Sequence, residues 1–391
     1  MDPLAFTETH LRDSRARGAL RSMPVLQSAQ GPRVRIENRT LVNMSSNDYL
    51  GFANDQELRD AAAAGASQWG SGAGAVRTIA GTFELHEALE HEIATWKGVE
   101  ATLVLQSGFT ANLGVIPALV GRDDVIISDE LNHASIIDGC RLSRATVRRY
   151  AHADPDSLRE QLRQCSPDQR KLVVTDGVFS MDGDIAPLPD LCTVAEEFGA
   201  IVMVDDAHAS GVLGHGGRGS TDHFGLHERV HVQIGTLSKA LGSMGGYIAG
   251  SQALRDYLVQ TVRPLLFSTA HPPAVIEASR AAIRVLSRQP ERVEHLWENT
   301  RYFKTGLEKL GLDTGRSSTP ITPVIVGDAR KAHALSDHLR ELGIFVQSVA
   351  FPTVPKDAAR VRAMVSAAHT RDDLDRAIDA FSVATRNVAA P

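Results

Sequence analysis

The sequence predicts an α/β protein whose mainly parallel, seven-stranded sheet carries helices on both faces, followed by a smaller C-terminal α+β domain. Short runs rich in Val, Ile and Leu recur from residue 101 onward. These runs alternate with segments of helical periodicity and lack the polar alternation of a sheet with one face in water. Such runs are typical of strands that are buried on both faces of a parallel sheet.

The segments before residue 101 predict helices and one small strand pair. A polar helical stretch opens the chain, and RVRIENRTLVNMS alternates apolar positions as a strand pair does. ELRDAAAAGASQW predicts a helix that ends at the glycine-rich run GSGAGAVRTIAG. The next helix, FELHEALEHEIATWKG, has its apolar residues on one face.

Seven apolar runs supply the predicted strands, in the order ATLVL, DVIIS, TVRRYA, KLVVT, IVMVD, VHVQI and GYIAG. The later segments PITPVIVG, KAHALSDHLRELG, GIFVQSVAF and ARVRAMVSA, with a last helix, predict the smaller domain. We therefore expect an N-terminal helix and strand segment over 1–50, a large domain over 51–285 and a small domain over 286–391.

Composition and charge limit the possible functions. With 391 residues, 43% of them hydrophobic, the chain can bury a substantial core. Its net charge of −6 and its lack of a dense Lys/Arg run argue against nucleic-acid binding. No apolar stretch is long enough for a membrane span, MDPLAFTETH lacks the pattern of a signal peptide, and the three cysteines lie far apart. We expect a cytoplasmic protein.

Polar residues follow several predicted strands, where open parallel sheets bind ligands. Gly108 and Phe109 begin a helix after ATLVL, and a helix N-terminus suits a phosphate, although glycine there also serves ordinary turn geometry. His133 follows DVIIS, and Ser180 follows KLVVT. The acids around Ser180 favour turn and capping chemistry over a metal site, since no histidine lies at ligand spacing.

Two further strands end in residues that can carry chemistry. Asp205 ends IVMVD, with His208 three residues later, and a carboxylate among apolar neighbours is unfavourable unless it meets a cation. Thr236 and Lys239 follow VHVQI, and a lysine with little room to reach solvent can become a nucleophile. Each residue alone is commonly an ordinary structural residue. Together they are the parts of a pyridoxal phosphate site, with the cofactor in a Schiff base with Lys239.

Longer segments carry a resemblance to a known family. These segments are SSNDYLGF, SDELNHASIIDG, TDGVFSMDGDIAPL, VDDAHASGVLG, GTLSKALG, RPLLFST and FPTVP with ARVRAMVSAAHT. Over nearly the whole chain they resemble the α-oxoamine synthases, which are pyridoxal phosphate enzymes of fold type I. The resemblance implies that the chain condenses an amino acid with an acyl-CoA and forms a homodimer with active sites at the subunit interface.

The resemblance also implies where the cofactor phosphate is held. The backbone around Gly108 and Phe109, together with Thr236, is expected to bind the phosphate of the same subunit. Ser268 and Thr269 are expected to reach the phosphate of the neighbouring subunit.

Other residues are expected around the ring and the substrate. The resemblance implies that His133 stacks on the pyridine ring and orients the substrate, that Ser180 and His208 hydrogen-bond the ring oxygen O3′, and that Asp205 pairs with the ring nitrogen. Arg362 is expected to bind the amino-acid carboxylate, for which a guanidinium is well shaped. Three further candidates for substrate contact are Asn47, Thr353 and Arg21.

Two reactions of this family remain open. The segments around His133 and His208 resemble glycine C-acetyltransferases of threonine degradation, so we expect glycine and acetyl-CoA, giving 2-amino-3-oxobutyrate, to be the preferred pair. FPTVP resembles 8-amino-7-oxononanoate synthases, which use alanine and a pimeloyl thioester in biotin biosynthesis. An enzyme with both activities is the third possibility.

Functions outside this family account for fewer of the sequence features. A transaminase would retain Lys239 and Asp205 but would leave His133, Ser180 and His208 without a role. A binding or scaffold protein on an α/β frame predicts no cofactor. A nicotinamide dehydrogenase fits poorly, because GSGAGAVR follows a helix where a dinucleotide fingerprint follows a strand.

Overall fold

The structure is a computed structural model that describes residues 2–16, 20 and 22–389. Its strands in that part of the chain are β1 (Arg33–Ile36), β2 (Arg39–Asn43), β3 (Ala101–Leu105), β4 (Val125–Asp129), β5 (Thr146–Tyr150), β6 (Lys171–Asp176), β7 (Ile201–Asp205), β8 (Val232–Thr236), β9 (Gly246–Gly250), β10 (Ile321–Gly327), β11 (Ile344–Phe345), β12 (Gln347–Val349) and β13 (Ala359–Met364).

Helices occupy most of the intervening segments. They are α1 (Ala5–Ala16), α2 (Gln56–Trp69), α3 (Glu84–Lys97), α4 (Gly108–Leu119), α5 (Ala134–Ser143), α6 (Pro155–Arg163), α7 (Leu188–Glu197), α8 (Ser220–His223), α9 (Gln252–Thr261), α10 (Arg263–Phe267), α11 (Pro273–Arg288), α12 (Glu291–Lys309), α13 (Ala329–Glu341) and α14 (Arg371–Ala389). Within the described residues, no helix combines the length and the apolar composition that crossing a bilayer requires.

The central sheet contains all seven strands that the sequence predicts, in the order β3-β9-β8-β7-β6-β4-β5. Strand β9 is antiparallel to both of its neighbours, and the other strands run parallel to one another. Every residue of β4, β6 and β8 is buried, whereas the edge strand β5 is largely exposed. The predicted α/β fold with a mainly parallel sheet is therefore confirmed.

Helices cover both faces of this sheet, and strand β3 illustrates the division. Leu103 and Leu105 pack in one cluster with residues of α4 and α5. Val104 points to the opposite face and packs with residues of α3 and α11. Because alternate residues of a strand face opposite sides, both sets of side chains must be apolar, and this requirement produces the unbroken run ATLVL.

Two smaller sheets complete the fold. One has the order β10-β13-β12, and the other has the order β1-β2-β11, in which β11 pairs in parallel with β2. The predicted strand pair near the N-terminus is thus present and is extended by a strand from the C-terminal region. The division into parts 1–50, 51–285 and 286–391 remains a proposal, and the pairing of β2 with β11 joins the first part to the third.

A buried ion pair lies behind the carboxyl end of β7. Lys97, the last residue of α3, is 1% exposed, and Asp206, which follows β7, is 0% exposed. The Lys97 Nζ atom lies 3.1 Å from Asp206 Oδ2, which also accepts a hydrogen bond from the Ser220 backbone N–H. A buried carboxylate is tolerated when its charge is matched in this way.

We expect Lys97→Met to lower the free energy of unfolding by about 3–5 kcal/mol, because Asp206 would keep a buried charge without a counter-ion. Equilibrium urea unfolding followed by circular dichroism measures the change. The control is Lys331→Met, an exposed lysine on α13, which should stay within about 0.5 kcal/mol of the parent protein. Equal stabilities of the two variants would contradict a structural role for the pair.

Candidate active site

The candidate site lies at the carboxyl ends of the central strands. Asp176 ends β6 and Asp205 ends β7, and the two residues occupy paired positions in the register of these strands. Thr236 ends β8, and His133 is the N-cap of α5 after β4. The parallel sheet therefore brings together residues that are far apart in the sequence.

Asp205 is buried and tightly held. Its Oδ2 atom accepts a hydrogen bond of 2.6 Å from Asn112 Nδ2, and its Oδ1 atom accepts one of 2.9 Å from the Ala207 backbone N–H. Burial raises the pKa of Asp205, while the Asn112 hydrogen bond and the charge of Lys239 lower it. A carboxylate in this position can meet a protonated ring nitrogen.

Asp176 is buried beside Asp205 and accepts a 2.8 Å hydrogen bond from the His133 backbone N–H. Burial and the neighbouring charge of Asp205 raise the pKa of Asp176 well above its ordinary value. From the sequence pattern alone, Asp176 is expected to be one of the turn and capping acids near Ser180. The signal that could have identified it is its position at the end of a buried strand.

Lys239 lies in the turn between β8 and β9. Burial lowers the pKa of its amine to about 8, against the opposing influence of Asp205 and Asp176. The turn requires glycine at Gly242, which has φ +62°, and whose added Cβ would lie 2.5 Å from the Phe52 carbonyl carbon. Near neutral pH this amine is uncharged more often than an ordinary lysine, which favours nucleophilic attack.

His133 is oriented by the first turn of α5. Its Nδ1 atom accepts a 3.2 Å hydrogen bond from the Ser135 backbone N–H and lies 2.7 Å from Ser135 Oγ. Its ring meets that of Phe109 edge to face, with centroids 6.3 Å apart. Burial lowers the pKa of His133, although the charge of Asp205 opposes this effect. The His133 ring is therefore held in a fixed orientation at the end of the sheet, and it is largely neutral.

His208 is buried next to Tyr49. The Tyr49 hydroxyl lies 2.7 Å from His208 Nδ1. Burial and the positive charges of Lys239 and Arg362 lower the pKa of His208 well below its ordinary value. The ring is neutral at physiological pH, so one nitrogen donates hydrogen bonds and the other accepts them.

Arg362 reaches the same region from β13. Its Nη2 atom donates a hydrogen bond of 3.3 Å to Asn47 Oδ1, so the structure brings these two predicted residues together. Its Nε atom is buried and has no hydrogen-bond partner among the described residues. A buried guanidinium N–H without a partner is suited to a carboxylate ligand.

The first turn of α4 forms a narrow cradle. Ser107 caps the helix by accepting a 3.1 Å hydrogen bond from the Thr110 backbone N–H. An added Cβ on Gly246 would lie 2.3 Å from the Gly108 nitrogen, and one on Gly108 would lie 3.3 Å from Thr236 Cβ. Only glycine allows this close approach, which places a helix N-terminus beside the Thr236 hydroxyl and provides donors for a phosphate.

The remaining predicted residues lie in different settings. Ser180 is half-buried in the loop after β6. Ser268 and Thr269 are exposed, and their carbonyl oxygens accept hydrogen bonds of 3.3 and 2.9 Å from Gln106 Nε2, just before the α4 cradle. Thr353 is exposed in the loop after β12. Arg21 lies outside the described residues.

Two further residues of the site are not identified from the sequence. Asn112 lies four residues after Gly108 on the same face of α4, so helical spacing from the cradle could have identified it. The Asn112 Oδ1 atom is buried without a hydrogen-bond partner in the part of the chain that the structure describes, while its Nδ2 atom donates to Asp205. Tyr49 lies in NDYLG, far from His208 in the sequence, and no local pattern indicates their contact.

This set of side chains fits pyridoxal phosphate. Lys239 supplies an amine of lowered pKa, Asp205 a buried carboxylate and the α4 cradle a phosphate site. The Arg362 Nε atom, which has no hydrogen-bond partner among the described residues, can donate a hydrogen bond to an amino-acid carboxylate. Each part lies at the edge of the sheet where the fold class places ligands.

Comparisons with known proteins identify the family of this chain. The sequence profile of the aminotransferase class I and II family matches residues 39–381. The 8-amino-7-oxononanoate synthase of Symbiobacterium thermophilum is 56% identical over 98% of each chain. The 8-amino-7-oxononanoate synthase 1 of Bacillus subtilis is 51% identical over 96% of this chain and 95% of that protein.

Solved structures show the same fold. A serine palmitoyltransferase of S. paucimobilis with a bound pyridoxal phosphate–myriocin aldimine superposes with a TM-score of 0.94 at 29% identity over 99% of both chains. An 8-amino-7-oxononanoate synthase from Francisella tularensis superposes with a TM-score of 0.77 at 28% identity over 89% of this chain and 98% of that chain. The chain belongs to the aminotransferase class I and II family and, within it, to the α-oxoamine synthases that depend on pyridoxal phosphate.

Proposed function

We propose that the chain is an 8-amino-7-oxononanoate synthase, which condenses alanine with a pimeloyl thioester and releases carbon dioxide and the thiol, in biotin biosynthesis. The observation that carries this proposal is the 50–56% identity, over at least nine-tenths of the chain, to relatives named for that reaction. The sequence motifs alone favour glycine and acetyl-CoA. The reported relatives do not support glycine C-acetyltransferase activity or a role in threonine degradation.

Lys239 has the central role in the proposed mechanism. When bound, pyridoxal phosphate supplies an electron sink for negative charge at the substrate α-carbon. Lys239 would hold the cofactor through Nζ. Its amine, whose pKa is lowered to about 8, would also accept the proton from the substrate α-carbon, since a base works best when its pKa lies near the operating pH.

The other residues orient the cofactor and the amino acid. The Asp205 carboxylate would hold a proton on the ring nitrogen, and Asn112 fixes the direction of that carboxylate. Arg362 binds the carboxylate of the amino acid through its unpartnered Nε atom. His133 would stack on the pyridine ring, and His208 with Ser180 would hydrogen-bond the ring oxygen O3′.

The phosphate is proposed to be shared between subunits of a homodimer. Gly108 and Thr236 provide donors from one subunit, and Ser268 and Thr269 from its partner. Ile79 and Phe267 are 83% and 71% exposed, and both flank the bridge between Val76 and Thr269. Large exposed apolar side chains mark interaction surfaces, which supports a second copy covering this region. The proposed setting of this dimer is the cytoplasm.

The substrate pair can be tested with the purified, cofactor-loaded enzyme. CoA release is measured for alanine, glycine and serine, each against acetyl-, pimeloyl- and palmitoyl-CoA. We expect kcat/KM for alanine with pimeloyl-CoA to exceed that for glycine with acetyl-CoA by at least about tenfold, because burial of two extra methylenes at ~0.8 kcal/mol each gives that factor. The reverse order would support the acetyltransferase reading instead.

We expect Asp205→Asn to retain bound cofactor and to reduce kcat by at least about 100-fold, since an amide cannot stabilise the protonated ring nitrogen while the phosphate contacts persist. Cofactor content after gel filtration and CoA release are measured together. Asp190→Asn, at an exposed position of α7, is the control. Activity of the Asp205 variant within a few-fold of the parent enzyme would contradict the assigned role.

A further inference from the structure

The only hydrogen-bond partner of the Tyr49 hydroxyl among the described residues is His208. The hydroxyl lies 2.7 Å from His208 Nδ1, and the two rings meet edge to face with centroids 6.1 Å apart. Tyr49 is 1% exposed, so its hydroxyl has no access to bulk water. A buried hydroxyl without an acceptor for its proton is unfavourable, and His208 Nδ1 is the acceptor at hand.

We propose that Tyr49 is a positioning residue, whose hydroxyl donates a hydrogen bond to His208 Nδ1 and so fixes His208 as the tautomer that carries its proton on Nε2. The Nε2–H group is then available as a hydrogen-bond donor. This inference deepens the proposed function, because it rests on the contact proposed there between His208 and the ring oxygen O3′.

The direction of the hydrogen bond follows from the charges around the pair. Burial raises the pKa of Tyr49 above its ordinary value, so the hydroxyl keeps its proton at physiological pH. His208 is neutral, because burial and the charges of Lys239 and Arg362 lower its pKa well below the ordinary value. A neutral imidazole has one N–H, and a ring that accepts at Nδ1 must donate at Nε2.

The backbone of Tyr49 is held from a different part of the fold. Its carbonyl oxygen accepts hydrogen bonds from the Ala367 N–H at 2.7 Å and from Ser366 Oγ at 3.2 Å. Ser366 Oγ also donates to the Asp48 carbonyl at 2.7 Å. Both donors lie just after β13, the strand that carries Arg362. Tyr49 therefore ties the orientation of His208 to the strand that is proposed to bind the substrate carboxylate.

A fixed Nε2–H donor would affect the bound cofactor. A donor directed at O3′ stabilises negative charge on that oxygen and disfavours added protons in its neighbourhood. The other tautomer would direct a lone pair at the oxygen. Loss of the Tyr49 hydroxyl should therefore raise the pH midpoint of the visible absorbance of the holoenzyme, by about half to one unit.

The test is nitrogen-15 NMR of histidine side chains in the apoprotein and in the holoenzyme, with the His208 signal assigned through His208→Gln. We expect the Nε2–H tautomer of His208 in the parent protein and a mixture of tautomers in Tyr49→Phe, which keeps the ring and removes only the hydroxyl. Tyr247→Phe is the matched control, because its buried hydroxyl contacts Ser210 Oγ at 2.7 Å. It should leave the His208 tautomer unchanged.

A proton on Nδ1 in the parent protein would overturn the proposal, and that measurement needs no variant to fold. An unchanged tautomer in Tyr49→Phe would overturn it as well. Neither readout depends on which acyl-CoA is used. The two proposals can therefore fail separately. If glycine with acetyl-CoA is the better substrate pair, but His208 carries its proton on Nε2 and loses this preference in Tyr49→Phe, the proposed reaction is wrong and the role of Tyr49 stands.

Discussion

The site depends on the burial of Asp205 and Asp176 side by side at the ends of adjacent strands. Their paired register brings two carboxylates together where the sheet excludes water, and burial raises the pKa of both. Two neighbouring buried carboxylates that stay ionised require a cation. Lys239 supplies that charge, and burial lowers its own pKa to about 8. Removal from water therefore has two effects. The two carboxylates require a positively charged partner, and the lysine amine becomes more nucleophilic near neutral pH.

Ion pairs around the site hold the loops that carry the other groups. His152 contacts Asp129 at 3.1 Å and Asp184 at 2.8 Å; burial alone would lower its pKa, but the two carboxylates raise it to about 10. Asp184 lies in the loop of Ser180, so this loop is tied to the end of β4. Arg360 contacts Asp182 at 2.6 Å and ties the same loop to β13. These contacts set the distance between the large sheet and the strand of Arg362.

The sequence reveals the large sheet and the parts of the site that lie next to it in the chain. Strands buried on both faces must be continuous apolar runs, so ATLVL or KLVVT can be recognised without a structure. Asp205 ends one such run, and Lys239 lies shortly after another. The contact of Tyr49 with His208 and the pairing of β11 with β2 depend on segments that meet only in the folded chain. Local motifs likewise do not reveal the acyl group of the substrate. The motifs around His133 and His208 concern ring chemistry that the family shares, whereas identity over the whole chain to 8-amino-7-oxononanoate synthases supports the proposed longer acyl chain.

The central proposal is that the cofactor binds covalently at Lys239, because among the described residues this lysine alone combines a lowered pKa with a buried carboxylate at the sheet edge. Lys304 is an internal comparison, since burial also lowers its pKa to about 8, but its amine donates to Ser317 Oγ at 2.6 Å. Borohydride reduction of the holoenzyme followed by peptide mapping decides between them. The account predicts a pyridoxyl group on the peptide that contains Lys239, and a pyridoxyl group on Lys304 or on any other lysine would contradict it.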